Sequence, residues 1–406
     1  MSGQVSSEQI LFTRGVPAVE ALPNTLLSEC MQAALEGPDG KAILQYGHNG
    51  GYLPLRTLIS EQYRVSPDQV LVGNGSLHLQ DILSGFLLKP GDVVFVEQPS
   101  YDRAIKTFRR RGATVIGIPL DLDGVNLTAL EQTIAQQKPV FMYVVPDFQN
   151  PAGVTTSAEK RQALVDLAER YGFWLVEDVP YRTLRYAGES LPLLRDLNAE
   201  RVVTVSSYSK LISPGLRVGY MVGPASLIKQ LTRLAEETIL APVLPTEAAV
   251  VEFHRRGYFA SNLESLKQLY APRLQAIVQS IKTYLPDVPF AEPQGGFFVS
   301  ITLPTHFNTT NLLARAKQAG LILTDGRDFF ADPYAASEDP HQGERFVRLP
   351  FCALTQNRSR KASNASRHWF RHRRVWPALE SHCWLFSGLS RAIIPNISLQ
   401  QSESGT

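Results

Sequence analysis

The sequence predicts a three-layer α/β protein, in which helices cover both faces of a mostly parallel central sheet. Between about Val70 and Gly223, apolar runs such as DVVFVEQP, PVFMYVVP and FWLVEDVP alternate with segments of helical periodicity. Continuous apolar strands separated by helices are typical of parallel sheets that are buried on both faces. The chain has 406 residues and 44% hydrophobic content, which is enough for a second, smaller domain.

The predicted elements of the sheet follow one another along the chain. The strand QVLVGNG precedes a helix from Leu77 to Leu88, which ends at KPGD because Pro and Gly disfavour a further turn. After DVVFVEQP come a helix near Ala104 to Arg111 and the strand ATVIGIPL. PVFMYVVP, a helix from Ala158 to Tyr171 and FWLVEDVP come next, and RVVTVSS and RVGYMVG complete the sheet.

The chain divides into four predicted regions. Residues 1–35 form an arm that joins the smaller domain, and residues 36–245 form the large domain. Long helical patterns followed by a short α/β segment ending at RFVRLPFC predict a smaller α/β domain over residues 246–354. Residues 355–406 form a basic, aromatic tail.

The tail differs from the rest of the chain in charge and composition. It carries eight Lys or Arg and two Asp or Glu, and three of the four tryptophans: Trp369, Trp376 and Trp384. A nucleic-acid or membrane-surface arm is one interpretation. The abrupt change in composition instead favours a shifted reading frame, so we expect the tail to be poorly ordered and without a functional role. The preceding residues have a slight acidic excess, which indicates no nucleic-acid partner.

The composition also bears on compartment and metals. No apolar run approaches the roughly 20 residues that span a bilayer, and the first residues lack the pattern of a secretory signal. Three scattered cysteines are too few for a disulfide framework, so we expect a cytoplasmic protein with no membrane partner. The eight histidines form no pair with metal-ligand spacing, and we expect no metal site.

The segment SSYSKLISPGLRVGY is the most informative part of the chain. The amine of Lys210 can form a Schiff base with an aldehyde, and Ser207, Ser209 and Arg217 can bind a dianionic phosphate. These residues therefore suit a covalently held, phosphorylated cofactor. A surface lysine in a Ser-rich loop is the alternative, because the pattern is short.

A second candidate phosphate site is the turn in VLVGNGSLHLQDIL. The backbone N–H groups around Gly75, Ser76 and Leu77 would point at a phosphate from the N-terminus of the following helix. An ordinary strand-to-helix turn capped by serine is the alternative.

Polar residues also follow two other predicted strands. Asp178, in EDVPYRTLRY, lies just past a strand whose apolar residues leave few structural reasons for an acid. Tyr181 follows three residues later, and Asn150, in PDFQNPAGVTT, lies between a strand end and a Pro-Gly loop. All three side chains could hydrogen-bond a bound cofactor. A helix cap, plain packing and an Asn-Pro turn are the respective alternatives. Because ligands of parallel sheets bind beyond the carboxyl ends of the strands, these residues are expected at one edge.

Taken in their order along the chain, from Tyr46 to Arg348, these and the further segments below resemble those of pyridoxal-phosphate-dependent aminotransferases of fold type I, class I and II. The resemblance is strongest to the branch that contains 2-aminoadipate aminotransferases and the aminotransferase-like domains of bacterial regulators, and it covers roughly Leu11 to Leu354. It implies pyridoxal 5'-phosphate as cofactor, amino acid and 2-oxo acid substrates, and a homodimer with shared active sites. It assigns catalysis to Lys210, Asp178 and Tyr181, and the cofactor phosphate to the turn at Gly75, where relatives often have Gln in place of Leu77. It also implies that Asp178 keeps the pyridine nitrogen of the cofactor protonated, so that the ring can take up electrons from a substrate carbanion, and that Tyr181 and Asn150 hydrogen-bond its phenolate oxygen.

The same resemblance implies roles for five further residues. Tyr101, in EQPSYDRA, would stack on the cofactor ring, and Tyr46, in QYGHNGGYLPLR, would reach the phosphate bound in the neighbouring subunit. Arg348, in FVRLPF, would bind the substrate α-carboxylate together with Asn150, and Gly15 would let the backbone approach the substrate. Arg327, in GRDFF, is a weaker candidate for a second substrate contact. Packing or surface positions are the alternatives for each.

The favoured function is amino-group transfer between an amino acid and a 2-oxo acid. Lyases, decarboxylases and cyclising synthases use the same constellation, so they remain alternatives. A ligand-sensing domain of a transcription regulator is an alternative of another kind, although it would be expected to follow a basic DNA-binding domain. An inactive product of a damaged gene is a third, because of the tail.

Overall fold

The computed structural model describes residues 10–305, 311–318, 320–331, 339 and 341–352. The predicted tail at residues 355–406 lies outside the described residues. The strands are β1 (Ile10–Phe12), β2 (Val70–Gly73), β3 (Val93–Gln98), β4 (Thr114–Asp121), β5 (Gly124–Val125), β6 (Phe141–Val144), β7 (Trp174–Asp178), β8 (Val202–Ser207), β9 (Gly219–Val222), β10 (Phe298–Thr302), β11 (Leu321–Leu323) and β12 (Phe346–Pro350). The α-helices are α1 (Asn24–Glu36), α2 (Leu53–Tyr63), α3 (Ser76–Leu87), α4 (Asp102–Arg110), α5 (Leu127–Gln136), α6 (Ala158–Tyr171), α7 (Leu194–Leu197), α8 (Ala225–Ile239), α9 (Leu244–Arg255), α10 (Tyr258–Tyr284), α11 (Leu312–Gln318) and α12 (Gln342–Arg345).

Local signals set the bounds of the helices. Ser157 caps α6 by accepting a hydrogen bond from the backbone N–H of Lys160, and the helix ends at Gly172, whose φ of 70° is left-handed. The predicted helix from Ala158 to Tyr171 is thereby confirmed.

The central sheet has the strand order β2-β9-β8-β7-β6-β3-β4-β5. Strands β4, β3, β6, β7 and β8 are parallel neighbours, whereas β9 is antiparallel to both β8 and β2, and β5 is antiparallel to β4. The mostly parallel sheet predicted from the apolar runs is therefore confirmed.

Two apolar layers cover this sheet. On one face, side chains of α3, α4 and α8, such as Leu79, Phe108 and Leu231, pack against the strands. On the other face, α5, α6 and α7 contribute buried residues such as Leu130 and Leu164. The central sheet is thus the middle of three layers, as the sequence predicts.

Two small strand pairs lie outside the central sheet. Strand β1, near the start of the chain, pairs in parallel with β11, and β10 pairs antiparallel with β12, so that Ser300 lies opposite Arg348. Residues 10–12 therefore join the C-terminal α/β segment, and the loop after β1 lies next to β12, where Arg348 donates to the carbonyl of Thr13.

Candidate active site

The polar residues predicted to bind a cofactor lie at the carboxyl edge of the central sheet. Asp178 is the last residue of β7, Ser207 is the last residue of β8, and Asn150 follows β6. Because β6, β7 and β8 are parallel neighbours, their carboxyl ends meet at one edge, where α/β sheets bind ligands.

Strand pairing brings the two predicted phosphate-binding segments together. Gly219 of β9 lies opposite Ser207 on one side and opposite Gly73 on the other. A Cβ atom at position 219 would lie 2.5 Å from the backbone N of Ser76, so only glycine allows the turn before α3 to pack this closely on β9. Ser207 and the N-terminus of α3 are neighbours for this reason.

Arg217 and the turn at Gly75 are in direct contact. Arg217 adopts a left-handed conformation with a φ of 55°, and its Nη2 donates to the carbonyl of Asn74 at 3.0 Å. Gly75 has a φ of 92°, and a Cβ atom there would lie 2.4 Å from Arg217 Nη2. Ser207 Oγ and Ser209 Oγ are joined by a 2.8 Å hydrogen bond beside this turn.

The cradle formed by these residues combines three kinds of phosphate donor. The first-turn N–H groups of α3, at Ser76 and Leu77, have no acceptor within their own helix. Two serine hydroxyls and one guanidinium complete the set. These donors suit a phosphate dianion, and the helix dipole favours an anion at this place.

Asp178 is buried and holds its carboxylate in an asymmetric hydrogen-bond arrangement. Its Oδ2 accepts hydrogen bonds from Tyr143 Oη at 2.7 Å and from Gln80 Nε2 at 2.8 Å. Its Oδ1 has no hydrogen-bond partner among the described residues. Burial raises the pKa of Asp178 to about 6, although the two hydrogen bonds act in the opposite direction. A buried acceptor without a partner is a place for a donor on a ligand.

The sequence did not indicate the two donors to Asp178. Tyr143 lies inside the apolar run PVFMYVVP, where a tyrosine ordinarily serves as a packing residue. Gln80 lies one helical turn after Ser76 on α3. A polar residue four positions beyond a phosphate-binding turn, on the buried face of the helix, is a signal that could have identified it.

Lys210 lies in the loop after β8 and points towards the N-terminal segment. Its Nζ donates to the carbonyl of Gly15 at 2.7 Å. Burial lowers the pKa of Lys210 from its usual value, so a larger share of the amine is neutral near physiological pH. A neutral amine is the form that attacks an aldehyde and accepts a proton.

Arg348 on β12 is buried and is held from several sides. Its Nη1 donates to Asn150 Oδ1 at 3.1 Å, and its Nη2 donates to the carbonyl of Thr13 at 2.8 Å. The guanidinium lies 4.9 Å from the ring centre of Phe298 and 4.5 Å from that of Phe329. Its Nε, also buried, has no hydrogen-bond partner among the described residues. The planar fork is thus fixed in place next to Asn150.

Aromatic residues fill the space around these groups. The buried ring of Tyr181 packs against Phe297 and Phe298, with ring centres 5.6 and 5.7 Å apart. A Cβ atom at Gly15 would lie 2.1 Å from Phe298 Cζ, which explains the glycine at that position. Tyr101 is half-buried just before α4, and burial raises its pKa to about 12.

Two predicted site residues are not brought to this group within the chain. Tyr46 is 79% exposed and lies on a surface segment where Leu44 and Leu53 are also exposed. Arg327 is exposed and forms an ion pair with Asp325, its Nη2 lying 2.6 Å from Oδ2. Any role of Arg327 towards a substrate would require it to leave that pair.

The arrangement fits pyridoxal phosphate. The glycine-lined cradle suits the phosphate, the free Oδ1 of Asp178 suits the protonated ring nitrogen, and Lys210 suits the aldehyde. In the described part of the chain, no three His, Cys, Asp or Glu side chains form a group able to hold a metal ion. No helix in that part is long and apolar enough to cross a bilayer.

Residues 7–365 match the protein family Aminotransferase class I and II. This chain belongs to that family. The match runs slightly beyond both ends of the span Leu11 to Leu354 that carries the resemblance in the sequence.

Two enzymes are similar to this aminotransferase over most of their length. The 2-aminoadipate transaminase of Thermus thermophilus is 32% identical over 84% of this chain and 85% of its own. Aromatic-amino-acid aminotransferase 1 of Thermococcus litoralis is 31% identical over 80% of this chain and 81% of its own. Helix-turn-helix transcription regulators also match, at lower identity than these two enzymes.

A solved structure agrees with the fold. The α-aminoadipate aminotransferase of Thermus thermophilus, in complex with N-(5'-phosphopyridoxyl)-L-leucine, superposes with a TM-score of 0.81 at 28% identity. The comparison covers 95% of this aminotransferase and 92% of that chain.

Together these matches confirm the predicted fold type I and identify pyridoxal 5'-phosphate as the cofactor. The protein is a transaminase that moves an amino group between an amino acid and a 2-oxo acid. The regulator and lyase alternatives are less well supported.

Proposed function

We propose that Lys210, Asp178 and Tyr181 perform the transamination, while Arg348 and Asn150 bind the α-carboxylate of the amino acid. One observation carries this assignment. The Nζ of Lys210 and the Nη2 of Arg348 donate to carbonyls only two residues apart, at Gly15 and Thr13. A substrate bound through its carboxylate at Arg348 would therefore have its α-carbon near Lys210.

Bound pyridoxal phosphate supplies an aldehyde that accepts the amino group and a ring that takes up electrons from the substrate. Lys210 would hold the cofactor through its Nζ in the resting enzyme. Once released by the incoming amino acid, the Nζ would take the proton from the substrate Cα and deliver it to C4′, the carbon of the former aldehyde. Burial favours this role, because it lowers the pKa of Lys210 and so increases the share of neutral amine.

Asp178 would accept a hydrogen bond from the protonated ring nitrogen through Oδ1, the oxygen that has no partner among the described residues. Tyr181 and Asn150 would donate to the phenolate oxygen of the cofactor, and Tyr101 would pack on the ring. The phosphate is bound by the cradle, which consists of Gly75, Ser76, Leu77, Ser207, Ser209 and Arg217. Leu77 contributes its backbone N–H alone, whereas a glutamine would also offer a side-chain donor.

Arg348 binds the substrate carboxylate with two parallel hydrogen bonds. To do so, its Nη2 exchanges the carbonyl of Thr13 for a carboxylate oxygen, while Asn150 keeps the guanidinium in plane. The glycine at position 15 keeps the chain close to the site, because a larger residue would collide with Phe298. The same closeness limits the room for the substrate.

We further propose a homodimer in which Tyr46 reaches the phosphate bound by the other subunit. The supporting observation is that Tyr46 is 79% exposed beside exposed Leu44 and Leu53, and large exposed apolar side chains in one segment are typical of an interface. Mixing Lys210→Ala subunits with Tyr46→Phe subunits would create one site per heterodimer that is free of both changes. Activity above that of Tyr46→Phe alone is expected, and no gain in any mixture would contradict the shared site.

A cytoplasmic location is also proposed, since neither Cys30 nor Cys352 forms a disulfide. The proposed domains remain residues 36–245 and 246–354, with residues 1–35 joining the smaller domain.

The direct test is borohydride reduction of the holoenzyme followed by peptide mass spectrometry. A pyridoxyl adduct is expected on Lys210, and an adduct on any other lysine would contradict the assignment. A half-reaction screen, which follows the absorbance of the cofactor as it takes up the amino group, would identify the donor. The screen begins with 2-aminoadipate and aromatic amino acids, on which the similar enzymes act by name.

A further inference from the structure

The side chains of Gln80 and Tyr143 form a clamp on Asp178, and neither has a role in the mechanism above. Both donate to the same carboxylate oxygen, Oδ2, although they come from different elements, α3 and β6. The other oxygen, Oδ1, is buried without a partner among the described residues. Because buried polar atoms are normally hydrogen-bonded, Oδ1 is expected to accept a hydrogen bond from a third donor, on a bound ligand.

The sheet register explains why the three side chains meet. Tyr143 lies opposite Val176 in the parallel pair of β6 and β7, and side chains opposite each other share one face. Asp178 lies two residues after Val176 and therefore points to that same face. Helix α3 covers this face, and Gln80 is on its buried side.

Both donors are held rigidly. Tyr143 is fully buried and packs edge-on against Phe108 at 5.7 Å, so its hydroxyl is aimed along a fixed direction. Gln80 is 1% exposed, and the Ser84 hydroxyl donates to its backbone carbonyl at 2.6 Å. Neither side chain can rotate to hydrogen-bond solvent instead if Asp178 becomes protonated.

The clamp favours an ionised carboxylate. Burial and the charge of Asp178 raise the pKa of Tyr143 well above its usual range, so this hydroxyl stays protonated and donates. The amide of Gln80 likewise donates to Asp178 through Nε2. The hydrogen bonds from Tyr143 and Gln80 counter the burial of Asp178, as does the charge of Lys210 while its amine is protonated, whereas Tyr101 and Tyr181 face Asp178 without donating a hydrogen bond to it.

We propose that Gln80 and Tyr143 are positioning residues that keep Asp178 ionised and reserve its Oδ1 for the ring nitrogen of pyridoxal phosphate. The proton shared between Asp178 and the ring then stays on the nitrogen. Without the clamp, the buried carboxylate takes that proton, and the ring becomes a weaker electron acceptor.

This inference rests on the proposed role of Asp178, and its test separates the two. The holoenzyme is loaded with pyridoxal phosphate labelled with ¹⁵N in the ring, and the ¹⁵N chemical shift at neutral pH reports whether that nitrogen is protonated. In Tyr143→Phe and Gln80→Met, the signal is expected to move part of the way towards neutral pyridine. In the double variant it is expected to move further, with proton abstraction from the substrate about tenfold slower for each lost hydrogen bond.

Two controls make the outcome decisive. Tyr63→Phe removes a half-buried hydroxyl that shares a hydrogen bond with Tyr220 and is not a donor to Asp178, and it should leave the ¹⁵N signal unchanged. Asp178→Asn should give the neutral signal, and a protonated ring in that variant would overturn the role of Asp178 itself. If Asp178→Asn gives the ¹⁵N signal of a neutral ring but the Gln80 and Tyr143 variants keep the wild-type signal, only the inference about the clamp is wrong. Should the double variant not fold, Tyr143→Phe, which keeps the packed ring, decides by the same criterion.

Discussion

The two ends of the cofactor site are built in different ways. At the proposed phosphate end, the first-turn N–H groups of α3 lie together with the side chains of Ser207, Ser209 and Arg217, and the positive φ values of Gly75 and of the exposed Arg217 shape the turn. At the ring-nitrogen end, Asp178 is 4% exposed, and buried side chains from two other elements fix its orientation. The first end depends on chain geometry, and the second depends on side-chain chemistry in a dry environment.

Helix α3 connects the two ends. Ser76 begins the helix at the phosphate end, and Gln80, four residues later on the same side, contacts Asp178 at the ring end. A change in backbone geometry at Gly75 therefore acts on both ends through one rigid element, whereas a side-chain change at Asp178 acts on one. Four substitutions test this difference, from the largest expected effect to the smallest.

Lys210→Ala removes the group that lies between the two ends. Transaminase turnover is expected to fall about a thousandfold or more, because both the covalent link and the base for the Cα proton are lost. The variant should bind pyridoxal phosphate weakly and form no borohydride-stable adduct. Steady-state kinetics and mass spectrometry check this, and turnover close to wild type would refute the role of Lys210.

Asp178→Asn tests the ring end. The asparagine keeps the shape of the side chain and removes its charge, so the fold and cofactor binding should persist while proton abstraction slows about a thousandfold. The measurement is the single-turnover rate with a Cα-deuterated amino acid. A rate within about threefold of wild type would show that another group protonates the ring.

Arg217→Met tests the phosphate end. The expected effect is on cofactor affinity, with the dissociation constant of pyridoxal phosphate rising about thirtyfold, since one charged donor to the phosphate is lost. The single-turnover rate of the saturated enzyme should change little. Arg217→Lys is the matched control, because it keeps the positive charge and loses the forked guanidinium. Its dissociation constant for pyridoxal phosphate should lie between those of the wild type and of Arg217→Met. A slower single turnover at unchanged affinity for pyridoxal phosphate would contradict the idea that the phosphate end controls cofactor binding and the ring end controls the chemical step.

Gly75→Ala tests the backbone itself, with Gly91→Ala as its control. The two glycines have almost the same φ, 92° and 90°, but a Cβ at position 75 meets Arg217, whereas one at position 91 meets nothing within 4 Å. Both variants are expected to lose unfolding free energy from backbone strain, about 1 kcal/mol for Gly91→Ala and about 2 kcal/mol for Gly75→Ala, because the ψ of 159° at Gly75 lies in a region that is essentially restricted to glycine. Only Gly75→Ala should also weaken cofactor binding, by about tenfold. Equal affinities in the two variants, measured by titration of the apoenzyme, would show that strain alone accounts for the effect.

Several features could be predicted from the sequence because their causes are local. The helix from Ala158 to Tyr171 was predicted to the residue, since a serine cap and a glycine stop mark its ends. The helix predicted from Leu77 to Leu88 was displaced by one residue from α3, because no side chain caps its start at Gly75. The apolar runs were sufficient to predict the parallel strands. The position of β9, antiparallel between β2 and β8, could not be predicted in this way, because it depends on pairing between residues far apart in the chain.

The sequence by itself determined the fold class and the residue types of the site, since periodicity and short motifs act within a few residues. Only the tertiary structure decided which atoms meet. Gln80 and Asp178 are 98 positions apart, and Tyr143 and Asp178 are 35 positions apart, so no local pattern relates them. Strand register and the docking of α3 bring them to one carboxylate oxygen and leave the other free. The contact is set by packing, because a buried charge is tolerated only where folded elements supply its hydrogen bonds.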